Sequence, residues 1–326
     1  MEPALRLRSV TKTFSTTRAV DGLDLEVRRG ATYGVIGPSG AGKTTCIRLI
    51  MSILFPDSGE ISVLGHKSAL EAKDRIGYLP EERGVYRKMR VADFVAYIAR
   101  LKGVPEDEAG PRAAKLLTRV GLEGVEKKKC EDLSKGMLQR ASFVAAIINQ
   151  PDLLILDEPF SGLDPVSVRM LKDVIAEEQR RGATILFSTH IMANAEELCQ
   201  DVVMIHRGRK VLDEPMSGLR RQYDRTAIQF EPLDASADLS VLRHLPGVIA
   251  IDPTADGCTV RLQEGVDPAA AIRTIAAAVA PARIELARVR LEDVFIRLVS
   301  EGGETTDAAH ALRANLQGLG IEGAAV

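Results

Sequence analysis

The sequence predicts an α/β protein with a mostly parallel core sheet, flanked by antiparallel β and helical portions and followed by a small α+β unit. Three observations carry that prediction. A short apolar strand over 31–37 feeds a glycine-rich turn, and residues 45–53 then continue at helical spacing until Phe55-Pro-Asp-Ser-Gly59 stops them. A second run, 153–156, is apolar throughout and ends in Asp157-Glu158-Pro159, as in a buried parallel strand delivering carboxylates at its C-terminal edge. The chain is also long for one domain, at 326 residues, and its 45% hydrophobic and 27% charged residues supply an ordinary soluble core.

In chain order, residues 5–10 and 23–27 alternate apolar and polar with period two, which predicts an antiparallel β start ahead of the strand at 31–37. Residues 92–102, 111–120 and 134–148 carry apolar positions three and four apart and read as helices of a subdomain over about 85–150. Residues 183–188 repeat the design of 153–156 and end in Thr189-His190. Residues 201–206 and 210–213, separated by Arg207-Gly-Arg209, read as a hairpin closing the first domain, with the boundary near 218–225. Beyond it, strands are expected at 226–230, 250–252, 258–262 and 283–289 and helices at 239–244 and 268–279. That order makes a small domain of the split β-α-β kind. The expected partition is 1–220, 221–300 and a flexible tail over 301–326, rich in Gly, Ala and Glu from Gly302.

Composition narrows the function classes. Lys+Arg 43 against Asp+Glu 45, a net formal charge of -2, lacks the basic excess of an extended nucleic-acid surface, so no nucleic-acid partner is expected. Cys46, Cys130, Cys199 and Cys258 are scattered without paired spacing, which argues against a disulfide framework or zinc site and for a reducing cytoplasm. The N-terminus has no apolar segment behind its charges, as a secretion signal would. The most apolar run, 141–156, is interrupted by Asn149-Gln-Pro-Asp152 and falls short of the ~20 apolar residues of a membrane span, so any work at a membrane is expected from the side.

Gly37, Pro38, Ser39, Gly40, Ala41, Gly42, Lys43 and Thr44 match the P-loop pattern, with Thr45 opening the helix behind them. In such a loop backbone N–H groups point at phosphate oxygens and the helix adds its positive N-terminal end. Lys43 would reach the β- and γ-phosphates, and the Thr44 hydroxyl would ligate Mg²⁺. Asp157, at its strand end, can hold that Mg²⁺ through water, and Glu158 can polarise an attacking water. The plain alternative is that both acids cap a strand.

With these residues goes a wider resemblance. Leu133-Ser134-Lys135-Gly136-Met137-Leu-Gln-Arg140 looks like the signature motif, Ser161-Gly-Leu-Asp164 like the D-loop and His190 like the switch histidine of the ABC transporter nucleotide-binding subunits, which the chain resembles over about 5–218. That resemblance implies the P-loop NTPase fold of ABC ATPases, with RecA-like core sheet, antiparallel β subdomain and helical subdomain. It implies ATP with Mg²⁺, a head-to-tail dimer in which Ser134, Lys135 and Gly136 of one copy face the P-loop of the other, Asp164 beside the shared site, and His190 on the γ-phosphate. Phe14 matches the family's adenine-stacking position, although spacing alone leaves it equally a core residue. Ser134 also reads as a plain helix N-cap.

Two departures stand out. The signature carries Lys135 and Met137 where glycine and glutamine are usual, and Tyr78-Leu-Pro-Glu81 places Glu81 where the family has a Mg²⁺-sensing glutamine. Glu81 is thus a candidate metal ligand, or else simply solvated. The stretch 77–86 resembles stand-alone subunits that drive small exporters through a separately encoded multi-span permease, and 289–297 looks like the end of their accessory domain. The resemblance thereby implies a cytoplasmic protein peripheral on the inner face of the membrane. The rival reading, a soluble ABC-type ATPase on DNA or the ribosome, finds one P-loop, no long heptad run and no Cys cluster.

Overall fold

The computed structural model describes residues 2–82, 84–223, 227–263, 265–287 and 290–301. The described residues form two compact units, one of 2–213 together with 295–301, the other within Glu214–Val294. The division lies upstream of the expected stretch 218–225.

The first unit opens with β1 (Leu5–Phe14) and β2 (Thr17–Val27), which pair antiparallel as their alternation predicts. After β3 (Thr32–Ile36) and α1 (Lys43–Ile50), β4 (Ser58–Val63) returns to the far side of β1, giving the order β2-β1-β4. Next come β5 (Ile76–Leu79), α2 (Val91–Leu101), α3 (Glu106–Arg119) and α4 (Lys135–Ile147). α3 begins ahead of the residue 111 that the sequence indicates. Glu106, Asp107 and Glu108 complement the positive end of the helix, and the exposed Pro111 withholds only one N–H within it. Eight residues of α4 are buried, as expected of a helix packed on more than one side.

β6 (Leu153–Asp157), α5 (Pro165–Arg180), β7 (Thr184–Thr189), α6 (Met192–Leu198), β8 (Asp201–His206) and β9 (Arg209–Pro215) complete this unit. The main sheet has the order β5-β6-β7-β3-β8-β9, parallel from β5 to β8. Every residue of β3, β6 and β7 is buried, the expected state of interior strands covered on both faces. Strand register aligns the C-terminal ends: Ile36 lies opposite Thr189, Asp157 opposite Ser188 and Leu79 opposite Leu156. Consequently the segments beginning at Gly37, Glu158, His190 and Pro80 leave the sheet at one edge.

In the second unit α7 (Met216–Tyr223) precedes β10 (Ala227–Pro232), β11 (Val248–Pro253), β12 (Cys258–Leu262), α8 (Pro268–Ala278) and β13 (Pro281–Leu286). α9 (Leu291–Glu301) ends the described chain. The sheet order β11-β12-β10-β13, antiparallel throughout, is the split β-α-β arrangement the sequence predicts. Ile228 and Phe230 alternate inward on β10, as do Cys258, Val260 and Leu262 on β12, to meet Leu242, Ala271 and Ile275. The helix expected at 239–244 is a 3₁₀ helix capped by the Asp238 side chain. Of the strand starts and ends indicated by the sequence, Thr226, Arg288 and Val289 lie outside the described residues, as does the tail from residue 302.

Candidate nucleotide-binding site

β3 ends at Ile36 and the chain turns through 37–42 into α1. Two glycines are geometrically required. At Gly37 (φ 152) a Cβ would sit 2.2 Å from the Ile205 carbonyl oxygen, and at Gly42 (φ 108) it would sit 2.2 Å from that of Ala19. Gly42 is the N-cap of α1 and no side chain caps this helix, which leaves its first N–H groups for an anion. Ser39 and Gly40 are exposed, Pro38 and Thr45 half-buried, and Ala41 buried under the turn.

Lys43 is 7% exposed, and its ammonium donates to the Gly37 and Pro38 carbonyls at 2.8 and 3.1 Å. Burial pushes this ammonium below its ordinary pKa, against the pull of Glu158, Asp157 and Glu81. Glu158 Oε1 lies 3.8 Å from Lys43 Nζ and 2.9 Å from His190 Nδ1. That contact with Glu158 holds the His190 imidazole above its usual pKa of 6.5, overcoming partial burial.

Asp157 is fully buried. Its Oδ1 accepts from the Ser188 hydroxyl and, at 3.3 Å, from Thr44 Oγ1, while its Oδ2 is buried without a hydrogen bond. Desolvation raises the Asp157 pKa, and the Glu81 and Glu158 charges add to the rise against the bonds from Ser188 and Thr44. Thr44 Oγ1 also stands 3.3 Å from Glu81 Oε2. An orphaned carboxylate oxygen beside a hydroxyl and a second carboxylate fits a hard cation, so Thr44, Asp157 and Glu81 would hold Mg²⁺. No cluster of three His, Cys, Asp or Glu forms a metal cage among the described residues, so such an ion would need further ligands from outside the chain.

The structure thus brings Lys43, Thr44, Glu81, Asp157, Glu158 and His190 together. The other indicated residues are placed by their own contacts. Ser134 caps α4, accepting from the Met137 N–H at 3.2 Å, and it is exposed with Lys135. A Cβ on Gly136 would meet Leu163 only at an ordinary 3.5 Å, and one on Gly162 would lie 3.4 Å from Lys135 Cε, so the signature segment borders the D-loop. Asp164 caps α5, both its oxygens engaged by Ser167. Phe14 ends β1, 45% exposed, with Lys12 Nζ 5.7 Å from its ring centroid, and is not core.

Two residues not among the indicated site residues, Ser188 and, within the signature stretch, Gln139, complete the site. Ser188 donates to Asp157 and accepts the Glu158 N–H at 3.2 Å, holding a residue whose φ of 47 is left-handed and strained for a glutamate. Gln139 Nε2 donates to the Pro159 carbonyl at 2.9 Å, tying α4 to the turn after Glu158. The only signal for Ser188 in the sequence is its place two residues before His190 on a buried strand. Its pairing opposite Asp157 is a matter of register.

Residues 20–161 match the family described as ABC transporter. A relative in Bacillus subtilis, named as the uncharacterized ABC transporter ATP-binding protein YhaQ, is 41% identical over 259 residues, 79% of this chain and 85% of its own length. The Nod factor export ATP-binding protein I of Cupriavidus metallidurans is 36% identical over 216 residues, 65% of this chain and 71% of its own. A solved ATP-binding subunit of an ABC transporter superposes with a TM-score of 0.63 at 31% identity, covering 68% of this chain and 93% of that one. The chain therefore belongs to the ABC transporter family, as an ATP-binding subunit.

Proposed function

We propose that this chain hydrolyses ATP as one half of a head-to-tail dimer and so drives a separately encoded multi-span permease, in the direction of export. The observation that carries this reading is the convergence of Lys43, Thr44, Asp157, Glu158 and His190 on one sheet edge. Lys43 exchanges the Gly37 and Pro38 carbonyls for phosphate oxygens, and Mg²⁺, when bound, neutralises developing charge on those oxygens. Glu158 keeps one oxygen on His190 and turns the other to the attacking water as its base. His190, whose pKa this contact raises, is placed to donate toward the γ-phosphate.

The exposed start of α4 at Ser134 supplies an N-terminal helix end for the nucleotide of the second copy, while Phe14 offers a face for the adenine. Export is supported by the relative whose name gives it that role and by the Glu81 variant. Among the described residues no helix is long and apolar enough to cross a membrane, consistent with docking at the inner face through a permease. The test is Glu158→Gln. It is expected to bind ATP, lower hydrolysis by about 100-fold or more, and accumulate as an ATP-dependent dimer in size-exclusion chromatography with light scattering. Hydrolysis at the parent rate would overturn the assignment. Co-purification of a multi-span membrane protein, followed by transport assays on the pair, tests the permease and the direction.

A further inference from the structure

The Thr44 hydroxyl has one proton and two carboxylate neighbours at the same distance, Glu81 Oε2 and Asp157 Oδ1, each 3.3 Å away. Only one of these contacts can be a hydrogen bond at any moment; the other sets lone pairs against lone pairs. Asp157 Oδ1 already accepts from Ser188, and Asp157 Oδ2 is buried with no partner at all. No Lys, Arg or His forms an ion pair with Glu81 among the described residues. Two acids and a hydroxyl are therefore gathered with too few protons; Lys43 feels the charge of both acids but donates to the Gly37 and Pro38 carbonyls instead.

Spacing points to what resolves the conflict. Adjacent oxygens around an octahedral ion with metal–oxygen distances of ~2.1–2.4 Å stand roughly 3.0–3.4 Å apart. Both Thr44 contacts fall in that interval at 3.3 Å. We infer that Glu81, Thr44 and Asp157 form a divalent-cation site that loads before nucleotide arrives, so that the metal is already in place when phosphate reaches Lys43. A neutral amide at position 81 would lack the second charge such a site requires in the absence of phosphate. Glu81 thereby determines the order of binding as well as contributing a ligand. The inference rests on the ATP-site reading above, and it goes beyond it in assigning metal affinity to the nucleotide-free protein.

The experiment uses Mn²⁺ alone as probe, followed by electron paramagnetic resonance on the nucleotide-free full chain. One Mn²⁺ per chain is expected, with a Kd of about 0.1–1 mM, as suits two carboxylates without a closed cage. Glu81→Gln should weaken it by about tenfold or more, whereas Glu82→Gln, which alters the neighbouring exposed acid, should leave it unchanged. Mn²⁺ binding that is equal in the parent and Glu81→Gln would overturn the inference. So would an equal loss in Glu82→Gln, which would mean a diffuse acidic surface, or no parent binding below about 10 mM. Fluorescent ATP-analogue binding with Mg²⁺ present, measured on the same samples, separates the two levels. If the analogue binds and Mn²⁺ alone does not, only the metal-first site fails; if neither binds to the parent, the ATP-site reading fails too. Retained analogue binding by Glu81→Gln shows that the variant is folded.

Discussion

Ser188→Ala isolates one hydroxyl that serves two acids. In the parent, Ser188 Oγ donates to Asp157 Oδ1 and accepts the Glu158 N–H at 3.2 Å, all within buried surroundings. A hydrogen bond to an ionised carboxylate contributes about 1.5–3 kcal/mol, and a buried N–H left without a partner costs about 1–3 kcal/mol. Because both pass through the same atom the two do not simply add, and roughly 2–4 kcal/mol is expected. For a unit of this size that corresponds to a Tm lower by roughly 5–15 °C in calorimetry. Function should suffer beyond stability, since the freed Glu158 backbone sits at φ 47 and has lost what holds it there. Steady-state ATPase measured well below the new Tm should fall by about 10–100-fold, the range for groups that orient a catalytic residue or metal ligand. A Tm within about 2 °C of the parent together with ATPase within about twofold would refute the positioning role.

Protonated His190 is favoured in the folded chain by its bond to Glu158, so its pKa lies above the ordinary 6.5. The stability this contributes is fully present below about pH 6.5 and declines as pH rises through the raised folded value. Urea denaturation at a series of pH values should show that decline in the parent and not in His190→Gln, and NMR of the ring should place the parent titration above 6.5; a His190 titration at or below the unfolded value would exclude the mechanism. Gly42→Ala forces a Cβ to 2.2 Å from the Ala19 carbonyl at a φ of 108. It should destabilise the chain by about 1–3 kcal/mol or more and abolish nucleotide binding in fluorescence titrations, and retained parent affinity would show that the loop has room to shift.

The site is unevenly legible in the sequence. The loop 37–44 and the run 153–158 announce themselves because a phosphate cradle and a carboxylate-bearing buried strand each demand residue types at fixed local spacing. α5 has its own signal, an Asp164 cap and Pro165 at the first turn, but the D-loop resemblance gives Asp164 a different role and masks the helix start. β4 opens on Ser58-Gly59, which read as part of a turn, and β5 has only four residues, so periodicity separates neither. The segment 106–110 looks like loop because its acids and the proline after it suppress the apolar pattern, yet those acids start α3.

Chemistry that depends on neighbours in the chain is thus determined by the sequence itself: which residues suit a phosphate cradle, which acids end the strand, and which family the motifs resemble. Tertiary structure alone decides the partnerships among residues far apart in sequence. Thr44 meets Glu81 and Asp157, and Ser188 meets Asp157 and the backbone of Glu158, only because parallel strands align Leu79 with Leu156, Asp157 with Ser188 and Ile36 with Thr189. Strand register is set by packing on both faces of a buried sheet, a many-residue property that no local motif encodes.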